Sequence, residues 1–170
     1  MTRDDLRPLL LAHAPRDAKE GADRRAMLDF LDRLPQPFSR DQPFAHFTAS
    51  ALVVDESRGR TALVHHRKLG IWVQPGGHFD ADDDSVGDAA LREVREETGI
   101  DGRLGPLLHL DIHEIPGDPP HLHLDVRFLV TAPNDELRVS EESTDLRWYP
   151  LEEAARVGDA SVARLVASLE

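Results

Sequence analysis

Three glutamates, Glu93, Glu96 and Glu97, stand at i, i+3 and i+4 in the segment GGHFDADDDSVGDAALREVREETGI, residues 76–100. On a helix of about 3.6 residues per turn they fall within roughly 100° of one another. Ala90, Leu91, Val94 and Thr98 take the neighbouring arc, which suits packing on a sheet. Like charges at this spacing repel by roughly a few tenths of a kcal/mol per pair. Glu96 and Glu97 also occupy the last turn, where the helix dipole disfavours anions. A helix built only for stability would carry Lys or Arg there. Clustered carboxylate oxygens are instead the ligands that hard divalent cations such as Mg²⁺ require. The competing reading is a solvated acidic face with Arg92 and Arg95 as counter-charges. The Gly76-Gly77 turn upstream and the Gly99 stop weigh against it.

The aspartates between Asp80 and Asp84 raise a second metal chemistry. Asp80, Asp82 and Asp84 have the 1, 3, 5 spacing of a calcium-binding EF-hand loop, which then needs Gly at position 6 and Glu at position 12. The chain has Ser85 and Leu91 there, so that reading fails. Asp83 or Asp84 reads instead as the N-cap of the glutamate helix.

Other residues could meet a substrate. In HLHLDVRFLV, alternation places His121, His123, Asp125 and Arg127 on one face and Leu122, Leu124, Val126 and Phe128 on the other. The polar row either lines a cleft, as phosphate or base contacts or a further metal ligand, or faces solvent. A zinc site there needs a third and perhaps a fourth ligand, with His109 and His113 able to approach, and is the less favoured reading. His65, His66, Arg67 and Lys68 form a dense basic cluster that could hold a polyphosphate or simply balance local acids. Trp72 and Trp148 could stack a base but read better as core. Glu141 and Glu142 precede Trp148 and are candidates for a general base, or else loop surface.

Positioning these groups falls to a mixed set of elements. Residues 1–34 read as helical from the spacing of Leu6, Leu9 and Leu10 and of Met27, Leu28, Leu31 and Leu34. Pro35, Pro37 and Pro43 then mark a linker. TASALVVD and TALVHHR read as a hairpin about ESRGR. Ser85 to Thr98 is the firmest helix, closed by Gly99. Leu104 to Ile115 and His121 to Thr131 read as strands around PGDPP, with a short strand from Leu146 to Tyr149. One or two helices broken near Gly158 follow. This order has no repeating βαβ rhythm, and it predicts an α+β or α/β sandwich on a mixed sheet.

Composition bounds the partners. The 170 residues, 40% of them hydrophobic, suffice for one domain or a domain with an extension. Lys and Arg total 20 against 32 Asp and Glu, a formal net charge of −12. That balance argues against general nucleic-acid binding and against anionic membranes, both of which need basic surface. There is no cysteine, hence no disulfide or thiolate site. No stretch approaches the ~20 apolar residues of a membrane span, so the expectation is a soluble, cytoplasmic protein.

The glutamate segment resembles the Nudix box, G-x5-E-x7-R-E-U-x-E-E-x-G-U. Arg92, Glu93, Val94, Glu96, Glu97, Gly99 and Ile100 match its second half. The first half departs: Asp84 stands where the family has its first Glu, and the glycine is Gly77, one residue early. The strands before the box, the WVQPGG turn and the LRWYPLEE segment extend the resemblance over residues 45–170, leaving residues 1–44 as a helical extension and linker. It implies an α/β/α sandwich around a mixed sheet, with the box as loop-helix-loop. It also implies hydrolysis of a pyrophosphate bond in a nucleoside diphosphate linked to another moiety, with Mg²⁺ or Mn²⁺. By position, Glu93 and Glu97 become metal ligands, Glu96 a ligand or the water-activating base, and Gly77 or His78 a carbonyl ligand. Arg92 would orient the glutamates, and His78, Arg67, Lys68, His121, His123 and Asp125 are candidates to bind substrate. The alternative is a non-catalytic nucleotide sensor. The extension could cover the cleft, cap the sheet or make a homodimer.

Overall fold

The computed structural model describes residues 3–117, 119–141 and 143–169. Two helices, α1 (Arg3–Ala12) and α2 (Ala18–Arg33), lead into β1 (Ala45–Val54) and β2 (Arg60–His66). Short strands β3 (Trp72–Val73) and β4 (Gly76–His78) precede α3 (Val86–Thr98), the glutamate helix. Then come β5 (Arg103–Ile115), β6 (His121–Thr131), β7 (Ser143–Pro150), α4 (Leu151–Val157) and α5 (Ala160–Ala167). The strands form one seven-stranded mixed sheet, with β6 parallel to β1 and the remaining pairs antiparallel.

β1 is the central strand, buried along its whole length, and its alternation sorts the molecule into layers. Ala45, Phe47 and Ala49 join α1, α2 and the start of α3 in one apolar cluster. Ala51 and Val53 continue that face with Val94 and Ile100. On the other face, Leu52 and Val54 pack with Leu129 and Leu165 of α5. Helices therefore cover both faces, and the fold is α/β/α. Ahead of Leu52 that second face turns polar. Register pairs His46 with His123, Thr48 with Asp125 and Ser50 with Arg127. β5 extends the rows, setting His113 beside His123, Asp111 beside Asp125 and His109 beside Arg127. A polar band thus crosses three strands in the middle of the sheet.

The residues before the linker are not a loose appendage. Leu6, Leu10, Met27 and Leu31 are fully buried in the same cluster as Phe47, Leu110 and Leu124. α2 also covers the outer edge of β5. Glu20 Oε1 accepts from the Leu110 amide at 2.9 Å, and Asp23 Oδ2 accepts from the Ile112 amide at 3.1 Å. Carboxylates here satisfy donors that an open edge strand would present to other chains. The change of sequence texture near residue 44 therefore marks the start of the sheet, while core packing runs across it.

The Gln74–Gly77 segment, expected as a turn, is partly strand. β4 pairs with β1 at Ser50–Gly76, Ala49–Gly77 and Thr48–His78. Glycine permits the approach: a Cβ on Gly76 would lie 2.2 Å from Ser50 Cβ and 2.8 Å from the Ala49 carbonyl oxygen. β7 is also longer than its apolar core suggested, because it pairs with β2 from Arg60 to His66.

Candidate metal and substrate site

The glutamate helix is capped at both ends, but not by an aspartate at its start. The Ser85 side chain is the N-cap, accepting from the Asp88 amide, and Gly99 closes the helix at φ 75°. This corrects the expectation of Asp83 or Asp84 as the cap. Asp83 is turned toward Arg92 instead, and Asp84 is exposed. The family's first Glu aligns with Asp84, yet its neighbour faces the helix.

Arg92 organises the site. Its five N–H donors make five hydrogen bonds: two to Asp83, and one each to Glu93, Glu96 and the His78 carbonyl, all between 2.8 and 3.1 Å. The Asp83 bonds, opposed by partial burial and helped by Glu93, raise the Arg92 pKa above its ordinary value. Burial pushes the Asp83 carboxyl up, but the Arg92 bonds and the Asp80 amide outweigh it and leave its pKa lowered. One guanidinium thus ties the loop, the β4 backbone and two of the three glutamates together.

The three glutamates differ in setting. Glu97 is only 9% exposed, while the Glu96 side chain is 56% exposed. Glu97 Oε2 accepts from the Gly76 amide at 2.9 Å. Glu93 lies against Gly77, where an added Cβ would stand 2.7–2.8 Å from its carboxylate atoms. Two carboxylates therefore close on a backbone turn with no side chains, and a third flanks them. An ordinary solvated face would not bury Glu97. A donor set of carboxylate oxygens beside a bare peptide backbone fits a hard divalent cation.

These groups line a cavity of about 830 Å³. Glu93, Glu96, Glu97 and Arg92 stand on one side of it with Gly77 and His78, and His123 and Asp125 come from β6. His121 stands beside His123 with their Nε2 atoms 3.3 Å apart. In the His-His-Asp-Arg row, Asp125 and Arg127 are buried and His121 and His123 partly so. β6 is covered on both faces from Leu124 onward, and Arg127 is fully buried. Arg127 donates to Asp125 at 2.7 Å and to Asp111 at 2.9 Å, forming a floor beneath the cavity. Asp125 also accepts from Thr48 and Ser50. Burial works against its charge, but Arg127, His113 and these bonds hold the carboxyl below its usual range. Burial, then neighbouring His46 and His78, depress His123 to about 3. Burial and then Arg40 depress His78 to about 4.

Arg67 and Lys68 are not brought to this cavity. Arg67 donates to the Glu141 carbonyl at 2.9 Å and to the Ser143 carbonyl at 3.0 Å, securing the loop before β7. Lys68 is exposed on the turn after β2. Glu141 supplies that carbonyl, and Glu142 lies outside the described residues. Trp72 packs edge-on against Tyr149, and Trp148 packs against the Val53–Val94 cluster. Three cations that local pattern could not assign do line the cavity: Lys19 from α2, Arg40 from the linker and Arg164 from α5. Only the fold brings these distant segments to the box, so no spacing in the sequence announces them.

The chain matches the family model of the NUDIX domain over residues 44–169. It is 31% identical over 97 residues to a bis(5′-nucleosyl)-tetraphosphatase (asymmetrical) of Mus musculus, covering 55% of this chain and 62% of that protein. It is 33% identical over 90 residues to diphosphoinositol polyphosphate phosphohydrolase 3-alpha of Homo sapiens, 51% of each chain. The chain thus spans half to three-fifths of these relatives' length. Among solved structures, a MutT NUDIX hydrolase from Burkholderia pseudomallei superposes with a TM-score of 0.63 at 25% identity, over 75% of this chain and 100% of that one.

Proposed function

The chain belongs to the NUDIX domain family, and we propose that it is a metal-dependent pyrophosphohydrolase acting on a nucleoside diphosphate linked to another moiety. The observation that carries this reading is the closure of Glu93 and Glu97 on the bare Gly76-Gly77 backbone. The two relatives' names describe phosphohydrolases of polyphosphorylated small molecules, which supports the same reaction class.

Glu93 and Glu97 would hold Mg²⁺ or Mn²⁺, with Glu96 as a further ligand or the base. The His78 carbonyl already accepts from Arg92, so Gly77 is the better placed backbone ligand. A divalent ion held there would supply neutralisation of phosphate charge and a more acidic attacking water. The protein's own groups do the rest. Arg92 fixes Glu93 and Glu96, and the Gly76 amide fixes Glu97, before substrate arrives. Arg40 puts positive charge on the cavity wall, suiting a polyphosphate there; Lys19 and Arg164 line it too, but Lys19 is paired with Asp23 and Asp111 and Arg164 with Asp17. The ionised Asp125, saturated by donors, braces the floor.

The test is a panel of nucleotide-sugars, ADP-ribose, dinucleoside polyphosphates and nucleoside triphosphates, assayed with Mg²⁺ and Mn²⁺ titrated separately. Turnover of at least one class that stops on chelation is expected. Binding without hydrolysis across the panel would overturn the reading in favour of a sensor. A Glu97→Gln variant with full activity would sink the metal assignment.

A further inference from the structure

We propose that His46, His121 and His123 form a second metal centre, for a borderline first-row ion such as Zn²⁺, separate from the glutamate site. The parallel register of β1 and β6 sets His46 directly beside His123, and His121 lies two residues earlier on the same face. One ligand nitrogen from each of the three lies within 4.8 Å of the others. The His121 and His123 Nε2 atoms are 3.3 Å apart. With Zn–N bonds of about 2.0–2.1 Å, the edge of a tetrahedron of ligands is about 3.3–3.4 Å. Two of the three nitrogens already have that spacing, and the His46 nitrogen lies within 4.8 Å of both.

His46 gives the independent sign. It is 1% exposed, and its Nε2 is buried without a hydrogen-bond partner among the described residues. Its Nδ1 faces the Gln42 carbonyl at 3.5 Å, an arrangement that puts the proton on Nδ1 and leaves the Nε2 lone pair open. An orphaned buried nitrogen costs stability, and a metal would relieve it. Packed rings alone would not.

The neighbouring histidines stand outside the trio. His78 Nδ1 receives an Arg40 N–H at 3.2 Å, which leaves its proton on Nε2, and His113, paired through Nδ1 with Asp111 at 3.1 Å, is not among the three rings whose nitrogens converge. Three imidazoles then leave one tetrahedral position for water or an anionic oxygen. Imidazole selects zinc, cobalt or nickel, whereas the carboxylate cluster suits magnesium and manganese. The two centres should therefore separate by ion.

The experiment is a Co²⁺ titration of the metal-stripped full chain, followed by visible absorption and then by Zn²⁺ competition. One equivalent of intense, low-coordinate Co²⁺ absorption is expected, displaced by Zn²⁺ and unaffected by excess Mg²⁺. Loss of a metal's outer-shell partner alone costs about 10–100-fold in affinity, so His121→Ala/His123→Ala should weaken Zn²⁺ binding at least ~100-fold. Glu93→Gln/Glu97→Gln should leave both readouts unchanged. His46→Ala removes the buried ligand. If that variant fails to fold, the double variant, at partly buried positions, still decides. Weak octahedral absorption in the native chain, an unchanged spectrum in the double histidine variant, or loss of the band in the glutamate variant would each overturn the centre.

Discussion

Arg92 and Asp83 are joined by two parallel hydrogen bonds, Nε to Oδ1 and Nη2 to Oδ2, each 3.0 Å. This fork is the strongest geometry available to an arginine and a carboxylate. Through Arg92 it sets where Glu93 and Glu96 point. Asp83→Asn should therefore weaken Mn²⁺ binding by about 10–100-fold, as loss of outer-shell partners does. Asp84→Asn should leave it within about twofold, because Asp84 is exposed. Calorimetric or electron-spin-resonance titration of the two variants with Mn²⁺ decides between them. Equal losses would mean that motif position, not geometry, assigns the partner.

Gly76 and Gly77 are adjacent, yet they should fail in different ways when a methyl group is added. At Gly77 the three atoms nearest to the added Cβ all belong to the movable end of Glu93, at 2.7–2.8 Å. Gly77→Ala should displace that carboxylate, lowering metal affinity at least ~10-fold while thermal stability stays near native. At Gly76 the Cβ meets the Ser50 Cα at 2.6 Å and the Ala49 carbonyl at 2.8 Å, neither of which can rotate away. Gly76→Ala should cost about 1–3 kcal/mol of stability. Parallel melting curves and Mn²⁺ titrations test the contrast, and a Gly77→Ala chain with native metal affinity would refute the role given to that turn.

The difference between what pattern revealed and what it hid follows the same physics. Glu93, Glu96, Glu97 and Arg92 share one helix, so a period of 3.6 was enough to bring them together. The alternation of His121, His123, Asp125 and Arg127 identified the faces of β6 but not its setting. Whether a polar row meets solvent or a buried band depends on β1 and β5, which pair with β6 from distant parts of the chain. His46 was invisible for that reason: its significance comes only from lying beside His123. Arg67 was misleading because a basic cluster in sequence says nothing about which carbonyls fold back onto it.

Glu20 shows how firmly the N-terminal helices are bound to the sheet. Its buried carboxylate accepts from the Arg16 amide at 2.7 Å and the Leu110 amide at 2.9 Å, and pairs with His13 at 2.6 Å. Glu20→Ala would orphan these donors in the interior, at a cost of about 2–4 kcal/mol. For a chain of this size, that lowers Tm by roughly 5–15 °C. Glu20→Gln keeps an acceptor and should lose distinctly less. A Glu20→Ala melting point within a degree or two of native would show that the edge of β5 does not depend on α2.

His109 should make the fold sensitive to mild acid. It is 2% exposed, and its Nδ1 has no hydrogen-bond partner among the described residues. Burial first, and then the charge of Arg127, hold its pKa at about 4, against the opposing pull of Glu20; Arg164 lowers it further and Asp111 raises it. In the unfolded chain the value returns to about 6.5. Between these values the unfolded state binds a proton that the folded state refuses. Stability therefore rises with pH across that window and is lost as pH falls through it. The full separation corresponds to a loss on the order of 3 kcal/mol. His78 and His123 are depressed in the same direction, so they add to the slope. His109→Gln, which cannot take up the proton, should flatten the fall in Tm between about pH 6.5 and 4 without abolishing it. Tm measured at half-unit intervals in both chains reads the difference directly. Superimposable profiles would mean that His109 titrates normally in the folded protein, and that its burial against Arg127 and Arg164 does not exclude the proton.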